Sequence, residues 1–536
     1  MNIKTQIEKN IGREISPSKI DGVDYQYFDK DKKSFVNITI PDKDLITFTN
    51  EVMKSGKLPL ATQKSKTIFF DYGGANVAKQ LHIGHLRSPI VGEALKRVFK
   101  AFGHKTISDT FFGDWGLQMG LVLAQMIDEG FIKNGDFVKD TDLDTLNAIY
   151  PAASKRSKED PEFYKRAESI TAMLQQKARP YFGLWRTIRD VSVNRIKESY
   201  KILNCTFDTF KGESDASEYI DEVLEILKKR GATKSEGCLV FDVKTETDTA
   251  PMPPVILQKS NGGELYATTD IATAYYRYKK YKPDQFIYIN DARQSLQMEQ
   301  NFRVLKKGGL VPESVQFTHV PFGTMNGTDG KPFKTRAGDT IKLDEVIQMV
   351  TDAAEKKMRA VTADSKKNLE VAQLIGISAL KFADLCNNVR KDYIFDIEKF
   401  TSFEGKTGPY LLYTVARINS IFKKMGATAF ADISSPTSSL RCGLWSSEKS
   451  ATPWSNPIRD ILRAAVKLAD SYTSATQVYS LNPIVDATYN LAAQFNLLYA
   501  NESIQKSDDN LFIAAFVKIC LLFALDTLAI TPVDEM

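Results

Sequence analysis

The sequence predicts an α/β chain: a parallel nucleotide-binding sheet of Rossmann type with a helical insertion, a small α+β module before it and an all-α domain after it. Three observations carry this. Buried-strand patterns at 67–72, 285–290 and 315–321 alternate with helical stretches over about 63–345. Residues 1–62 hold one short strand pattern at 35–40 and a helical stretch at 43–54. Beyond Leu343 the chain is nearly all helix, which makes 346–536 a third, helical domain.

The first strand of the middle region runs into a small-residue loop and then a helix over 85–102. Leu86, Ile90, Leu95, Val98, Phe99 and Phe102 share one face, Pro89 is tolerated in the first turn, and Gly103 ends the helix. The loop carries His82-Ile83-Gly84-His85, two of only four histidines in 536 residues. Unpaired N–H groups at the helix start attract phosphate, and Gly84 lets a base or ribose approach the backbone. Imidazole donors aimed at phosphate oxygens act where charge builds during attack on an α-phosphate. That is a nucleotidyl-transfer geometry. Zinc is not expected: the five cysteines, Cys205, Cys238, Cys386, Cys442 and Cys520, are scattered without a CxxC pair.

Asn76 to Ser88 reads Asn-x-Ala-Lys-x-x-His-x-Gly-His-Leu-Arg-Ser, and Gly113-Asp114-Trp115-Gly116 follows the second strand. Together these resemble the HIGH region of the arginyl-tRNA synthetases, a class I family. A second block, 265–294, is similar to that family's amino-acid-binding segment. A guanidinium presents a planar fork of donors, matched by carboxylates and an aromatic lid. Asp71, Tyr266 and Asp270 supply these groups, and which carboxylate takes the guanidinium stays open. The residue types also allow Asp270 to be an N-cap. The resemblance implies that Asn76 and Gln294 hold the α-amino and carboxylate end of arginine.

A third block, 322–343, is a glycine-rich cationic loop bearing Lys331, Lys334 and Arg336. It stands where class I synthetases carry KMSKS, yet Phe333-Lys334-Thr335-Arg336 replaces Met-Ser-Lys-Ser, so Thr335 takes the place of the second lysine. Lys79 supplies the missing charge by the family's Ala-Lys-x-x-His pattern. A second departure is Gly73-Gly74-Ala75 where many members have Ser-Ser-Pro, which predicts a more flexible loop.

The interval 126–237 reads as a mostly helical, charged insertion, too long for a simple connector. In the helical domain, Leu411, Val415, Ile418 and Phe422 form a packing face, and Tyr410, Tyr413 and Arg417 lie to one side. Tyrosines beside an arginine suit stacking on splayed bases. The family's anticodon-binding helix matches this block, and the resemblance adds Tyr499 and Met536 to the anticodon pocket. It also implies an elbow contact near Phe35-Val36-Asn37, with Asn37 touching tRNA, although the N-terminal module is several tens of residues short. Residues 434–457 read as a Ser/Thr/Pro-rich loop. The apolar stretch 511–530 contains Lys518 and Asp526 and reads as a buried bundle helix capped at Ser507-Asp508-Asp509, not a membrane span.

A balance of 71 basic to 66 acidic residues gives +5, which excludes a basic coat and leaves localised patches for a nucleic-acid partner. Unpaired cysteines and a polar N-terminus without a signal-peptide core fit a cytoplasmic protein. The resemblance implies an arginine–tRNA ligase: arginine attacks the α-phosphate of ATP, and the arginyl group passes to the terminal ribose of tRNA(Arg). No protein nucleophile is required. His82 and His85 stabilise the phosphates with Gly84 and Lys331 beside them, Lys79, Lys334 and Arg336 neutralise pyrophosphate, and Mg2+ accompanies ATP. The expected enzyme is a monomer that needs tRNA for adenylate formation. Two other readings are a class I synthetase for cysteine or glutamine and a catalytically silent tRNA-binding paralogue. Missing zinc ligands and the Tyr266 to Asp270 segment weigh against the first, and intact His82, Gly84, His85 and Asp270 against the second.

Overall fold

The computed structural model describes residues 2–18, 20, 23–260, 263, 265–331, 341–359, 365–425, 456–501, 504 and 508–536, with main chain only at 359 and 365–368. At its centre lie five parallel strands: β1 (Thr67–Asp71), β2 (Lys105–Phe112), β3 (Thr209–Gly212), β4 (Gln285–Asp291) and β5 (Gln316–Phe322). Their spatial order is β5-β4-β1-β2-β3. The chain therefore builds outward from β1 in one direction and then returns to add β4 on its other side. The strand order reverses between β1 and β4, and a crevice at their carboxyl ends is where such sheets bind ligands. The three predicted strands are present, each within a residue of the expected bounds.

From β1 the chain passes through the Gly73-Gly74 loop and a short 3-10 turn, Ile83–His85, into α1 (Arg87–Ala101). Twelve of the fifteen α1 residues are buried, because one side lies on the sheet and the other meets three helices of the C-terminal domain. Gly92 of α1 makes room for Tyr72 of the adjoining loop: a Cβ there would stand 2.2 Å from the tyrosine ring.

After β2 the chain forms α2 (Leu143–Glu159), a helix Pro161–Gln175 and α3 (Tyr181–Ile202). Asp142 and Asp160 cap the first two by accepting from Thr145 and Phe163 main-chain N–H groups. The stretch read as an insertion is not helical throughout, since β3 lies inside it and closes the sheet edge. Its four residues, TFKG, are mostly half-buried and carry no apolar run, so periodicity did not reveal a strand. Then come a small antiparallel sheet of three strands, α4 (Tyr266–Tyr281), β4, α5 (Ser295–Lys307) and β5.

The remainder is helical: α6 (Leu343–Arg359), α7 (Ser365–Leu385), α8 (Gly408–Lys424), α9 (Asn456–Val478), α10 (Asn482–Asn501) and α11 (Asp508–Thr527). Helix α11 is the apolar stretch of the sequence, and 72% of its most apolar window is buried against the rest of the chain. Of its expected cap, Ser507 lies outside the described residues and Asp508 opens the helix. Of the predicted loop at 434–457, residues up to 455 lie outside the described residues and 456–457 already belong to α9.

The N-terminal module is a helix, Ile3–Ile11, a three-stranded sheet and a second helix, Asp42–Ser55. Its strand Ser34–Ile38 and second helix match the sequence reading. The module is welded to the C-terminal helices through buried polar contacts: Asn2 Nδ2 donates to Asp470 Oδ1 at 2.8 Å, and Tyr25 donates its hydroxyl to the other oxygen. Burial pushes the Asp470 carboxyl up to about 6. Arg459 reaches Asp42 from the same bundle in a two-bond fork.

Candidate active site

The loop that leaves β1 is pinned rather than loose. Gly73 takes a positive φ of 71°, its N–H donates to Ser88 Oγ at 2.8 Å, and its carbonyl accepts from Thr110 and Tyr200 hydroxyls. Ser88 in turn donates to the Ile289 carbonyl at 2.6 Å, which ties the start of α1 to β4 across the point of strand reversal. The flexibility expected from Gly73-Gly74-Ala75 is therefore not found; a Cβ on Gly74 would approach the Phe111 carbonyl to 2.7 Å. Glycine serves tight packing here, not mobility.

The histidines sit in the 3-10 turn with their rings 3.9 Å apart. Gly84 N–H donates to His82 Nδ1 at 3.1 Å, and His82 N–H donates to His85 Nδ1 at 3.1 Å. Both Nδ1 atoms accept, so each neutral ring carries its proton on Nε2. Burial lowers His82 to about 4, helped by Lys79, and lowers His85 to about 3, with His82 and Lys79 adding to it. Both rings are thus neutral near pH 7, each with one Nε2–H donor not used by the turn. Gly84 is exposed between them. Lys79 is half-buried, with its ammonium 5.8 Å from the Tyr150 ring centroid. Arg87, the first residue of α1, is buried against Asp384 at 3.0 Å and is not available to phosphate. Lys331 is exposed, and Lys334 and Arg336 lie outside the described residues.

The acidic side of the crevice differs from the expected one. Asp71 bonds an internal guanidinium, Arg277, at 2.5 Å, and Arg277 also holds Asp109 at 2.9 Å. Asp71 is therefore a counter-ion within the sheet, and Arg277 was the missed partner. Asp270 lies inside α4, one turn after Tyr266, so it is no N-cap; Leu265 holds that position. Gln297 and Asn301 of α5 donate to Asp270 Oδ2 at 2.7 and 3.3 Å. Burial, and then the Asp71 charge, push Asp270 up to about 7. Tyr266 is 60% exposed and stands across from Gly116, where a Cβ would lie 3.6 Å from its hydroxyl.

Glu213 joins this wall and was not anticipated. It accepts from the Trp115 main-chain N–H at 3.1 Å. Burial, then the Asp114 and Asp270 charges, raise it to about 7. The Gly113-Asp114-Trp115-Gly116 segment is what places it: Asp114 is buried on Arg189 at 2.6 Å and on Ser214, while Trp115 packs on Trp185. Asn76 pairs with Gly113, whose missing Cβ leaves room for the Asn76 amide, a clash of 2.3 Å otherwise. Gln294 ends the exposed turn after β4.

Residues 47–397 match the family described as tRNA synthetases class I (R), catalytic domain, and residues 411–536 match the DALR anticodon binding domain. The arginine–tRNA ligase of Alkaliphilus oremlandii is 42% identical over 484 residues, covering 88% of this chain and 80% of its own. The chain belongs to the arginine–tRNA ligase family. That of Agathobacter rectalis is 39% identical, covering 94% of this chain and 87% of its own. In fold, the arginyl-tRNA synthetase of Plasmodium falciparum aligns at a TM-score of 0.77 with 22% identity, over 100% of this chain and 89% of its own. The Thermus thermophilus arginyl-tRNA synthetase aligns at 0.75 with 19% identity, over 99% and 93%. Neither a cysteine or glutamine synthetase nor a silent paralogue is what these comparisons support.

In this arginine–tRNA ligase family member the second candidate surface lies on α8 and α10. Leu411, Val415, Ile418 and Phe422 are buried, as their spacing predicted. Arg417 lies 4.6 Å from the ring centroids of both Tyr413 and Tyr499, and Asn496 accepts from its guanidinium at 2.5 Å. Both tyrosines are exposed, at 38% and 39%. Tyr410 does not join this stack; it is half-buried against Tyr489 at 5.3 Å. Met536 packs, partly buried, against the core. In the N-terminal module Asn37 is exposed, and Phe35 is 61% exposed and pairs edge-on with Phe28, so it is not strand core.

Proposed function

We propose that the crevice at the β1/β4 switch point binds ATP and arginine side by side and joins them to arginyl-adenylate, which is then transferred to the terminal ribose of tRNA(Arg). What supports this is two neutral imidazoles with free Nε2 donors at the start of α1, together with two carboxylates, half-buried Asp270 and buried Glu213, that make no ion pair among the described residues. The first set suits a phosphate gaining charge; the second suits a guanidinium.

Asp270 takes the guanidinium together with Glu213, and Tyr266 covers it. Both acids are raised to about 7 because they lie buried near like charges, and a bound guanidinium relieves that cost. Lysine offers one compact ammonium where the site has a planar set of acceptors, so part of the wall stays unpaired with it. Asn76 and Gln294 hold the amino-acid end. The arginine carboxylate attacks the α-phosphorus, an O–P bond forms, and the bond to pyrophosphate breaks. His82 and His85 donate to the α-phosphate oxygens as charge develops there. Their neutrality lets them donate without competing for arginine's own cationic place. Lys79, Lys334 and Arg336, with Lys331, offset the charge of departing pyrophosphate. Magnesium enters on the ATP phosphates. The enzyme acts as a cytoplasmic monomer, and Tyr413, Arg417 and Tyr499 offer stacking planes to anticodon bases, with Tyr410, Met536 and Asn37 as outer contacts.

Charging of tRNA with labelled arginine tests the reading, alongside ATP–pyrophosphate exchange across amino acids with and without tRNA. Arginine-specific charging is expected; absence of charging with tRNA and ATP present would overturn it.

A further inference from the structure

Between Asn76 and His82 the main chain takes a path that L-residues disfavour, for Ala78 has a φ of +60°. Strain of this kind persists only where surrounding structure fixes it, and it concentrates at functional sites. Here the fixing groups come from outside the loop. Ala78 N–H donates to Ser192 Oγ of α3 at 2.9 Å. Asn147 of α2 grips Gln80 twice: its Oδ1 accepts from the Gln80 main-chain N–H at 2.8 Å, and its Nδ2 donates to Gln80 Oε1 at 3.0 Å. The free end of the Gln80 amide donates to Asp344 Oδ2 of α6 at 2.8 Å, and Arg195 of α3 donates to the same oxygen at 2.6 Å. The start of α6 is itself stitched to the histidine segment, since Leu343 N–H donates to the Leu81 carbonyl and Ile83 N–H to the Ile341 carbonyl. Lys79 stands between the two clamped residues.

We infer that Asn147 and Asp344 are positioning residues for the activation step, holding Lys79 through Gln80. The inference rests on the proposed reading of the crevice as the ATP site. Gln80 carries no charge, yet all of its amide atoms and its main-chain N–H are committed, to Asn147 of α2 and Asp344 of α6. Lys79, by contrast, makes no ion pair among the described residues and ends over the Tyr150 ring, so its position is set by the backbone on either side of it. The helices read from sequence as an insertion thereby become a brace. Ser192 on α3 holds one side of Lys79 at Ala78, and Asn147 on α2 with Asp344 on α6, itself held by Arg195 of α3, holds the other side at Gln80. A misplacement of about 1 Å at a reacting group costs about a hundredfold in rate, which is the scale on which a lost clamp should register.

The test is ATP–pyrophosphate exchange, with tRNA and arginine, on Asn147→Ala, Asp344→Ala and Asp344→Asn, each alone and combined with Lys79→Ala. Asn147→Ala and Asp344→Ala are expected to lower kcat by about tenfold to a hundredfold while KM for arginine stays within about twofold. Asp344→Asn keeps an acceptor for Gln80 and should recover most of the loss. In the Lys79→Ala background the alanine variants should cost less than about threefold more, because the group they position is gone. Full additivity with Lys79→Ala, or a KM for arginine that rises with the fall in kcat, would overturn the inference. If Asp344→Ala does not fold, Gln80→Ala removes the same bonds from the loop side and is read the same way. A wild-type protein that shows no arginine-dependent exchange refutes the functional reading beneath the inference, whereas an active wild type with additive variants refutes the clamp alone.

Discussion

Arginine should bind this protein more weakly as the pH falls from 7.5 to 6, and the size of the effect follows from two carboxyls. Asp270 is moved from 3.8 to about 7 by burial and by the Asp71 charge, and Glu213 from 4.5 to about 7 by burial, Asp114 and Asp270. A guanidinium stays charged throughout this range, so it can be held only by the ionised acids. For one group at about 7 the apparent Kd is multiplied by one plus the protonated-to-ionised ratio, which gives roughly eightfold weakening between about pH 7.5 and pH 6. Two such groups set an upper bound of roughly seventyfold, reduced because neighbouring acids titrate as a pair. Isothermal titration in two buffers of different ionisation enthalpy reads both quantities, the affinity and the protons released per arginine bound. Glu213→Gln should bring the pH dependence down to the single-group value. In the free protein the same two carboxyls contribute stability that is fully present below their unfolded values of about 4 and is lost as pH rises through about 7. His82 and His85, lowered on folding, oppose them by losing stability as pH falls through about 6.5, so the melting temperature of the free protein is not the readout. The increment that arginine adds to the melting temperature is the readout, and it should shrink as the pH falls from 7.5 to 6. A Kd constant within twofold from pH 6 to 7.5, with no proton released, would show that the acids are not the guanidinium site.

Asp270→Asn should raise KM for arginine by about a hundredfold in the exchange assay, as expected when one member of a buried charge pair worth about 3 kcal/mol is removed, with KM for ATP little changed. Lys79→Ala should slow activation far more than it weakens arginine binding, since the chain has Thr335 where a signature lysine is usual; equal effects on both would refute that role. Tyr25→Phe takes a donor from the buried Asp470 and should cost about 1–3 kcal/mol in denaturant unfolding. Arg417→Ala empties the space between Tyr413 and Tyr499 and should lower kcat/KM for tRNA about tenfold while leaving KM for arginine unchanged in steady-state charging.

The parts of the fold that were legible from the sequence are those whose signal is local. The strands β1 and β4 are buried along most of their length, so their apolar runs announce them; β5 at the sheet edge still shows its run, with Val320 and Phe322 buried, and α1 shows a stop glycine at Gly103 with a φ of 85°. β3 was not legible because an edge strand of four residues, three of them half-buried, has no periodicity to read. The same distinction divides the site. His82, Gly84 and His85 act through bonds to one another across three residues, so their geometry is written in a tetrapeptide. The internal partner of Asp71 was not legible because Arg277 lies 206 residues away and nothing near Asp71 signals a competing internal guanidinium.

Glu213 marks where that limit has a physical origin. Its neighbours Ser214 and Asp215 belong to a four-residue helix, a setting in which a glutamate would ordinarily be solvated. It becomes chemically distinctive only because Asp114, 99 positions before it by numbering, is buried on Arg189 and bonded by Ser214, which swings the short helix against Trp115. The Gly-Asp-Trp-Gly signature was visible, and its residues contact a carboxylate, Glu213, that the signature does not contain. A motif whose residues are buried, rather than exposed at the crevice, should therefore be read for what it positions. On that argument Asp114→Asn should act on arginine recognition through Glu213, raising KM for arginine and flattening its pH dependence in the same way as Glu213→Gln. If Asp114→Asn instead slowed exchange with the arginine pH profile intact, the signature would serve the sheet alone and Glu213 would owe its place to other contacts.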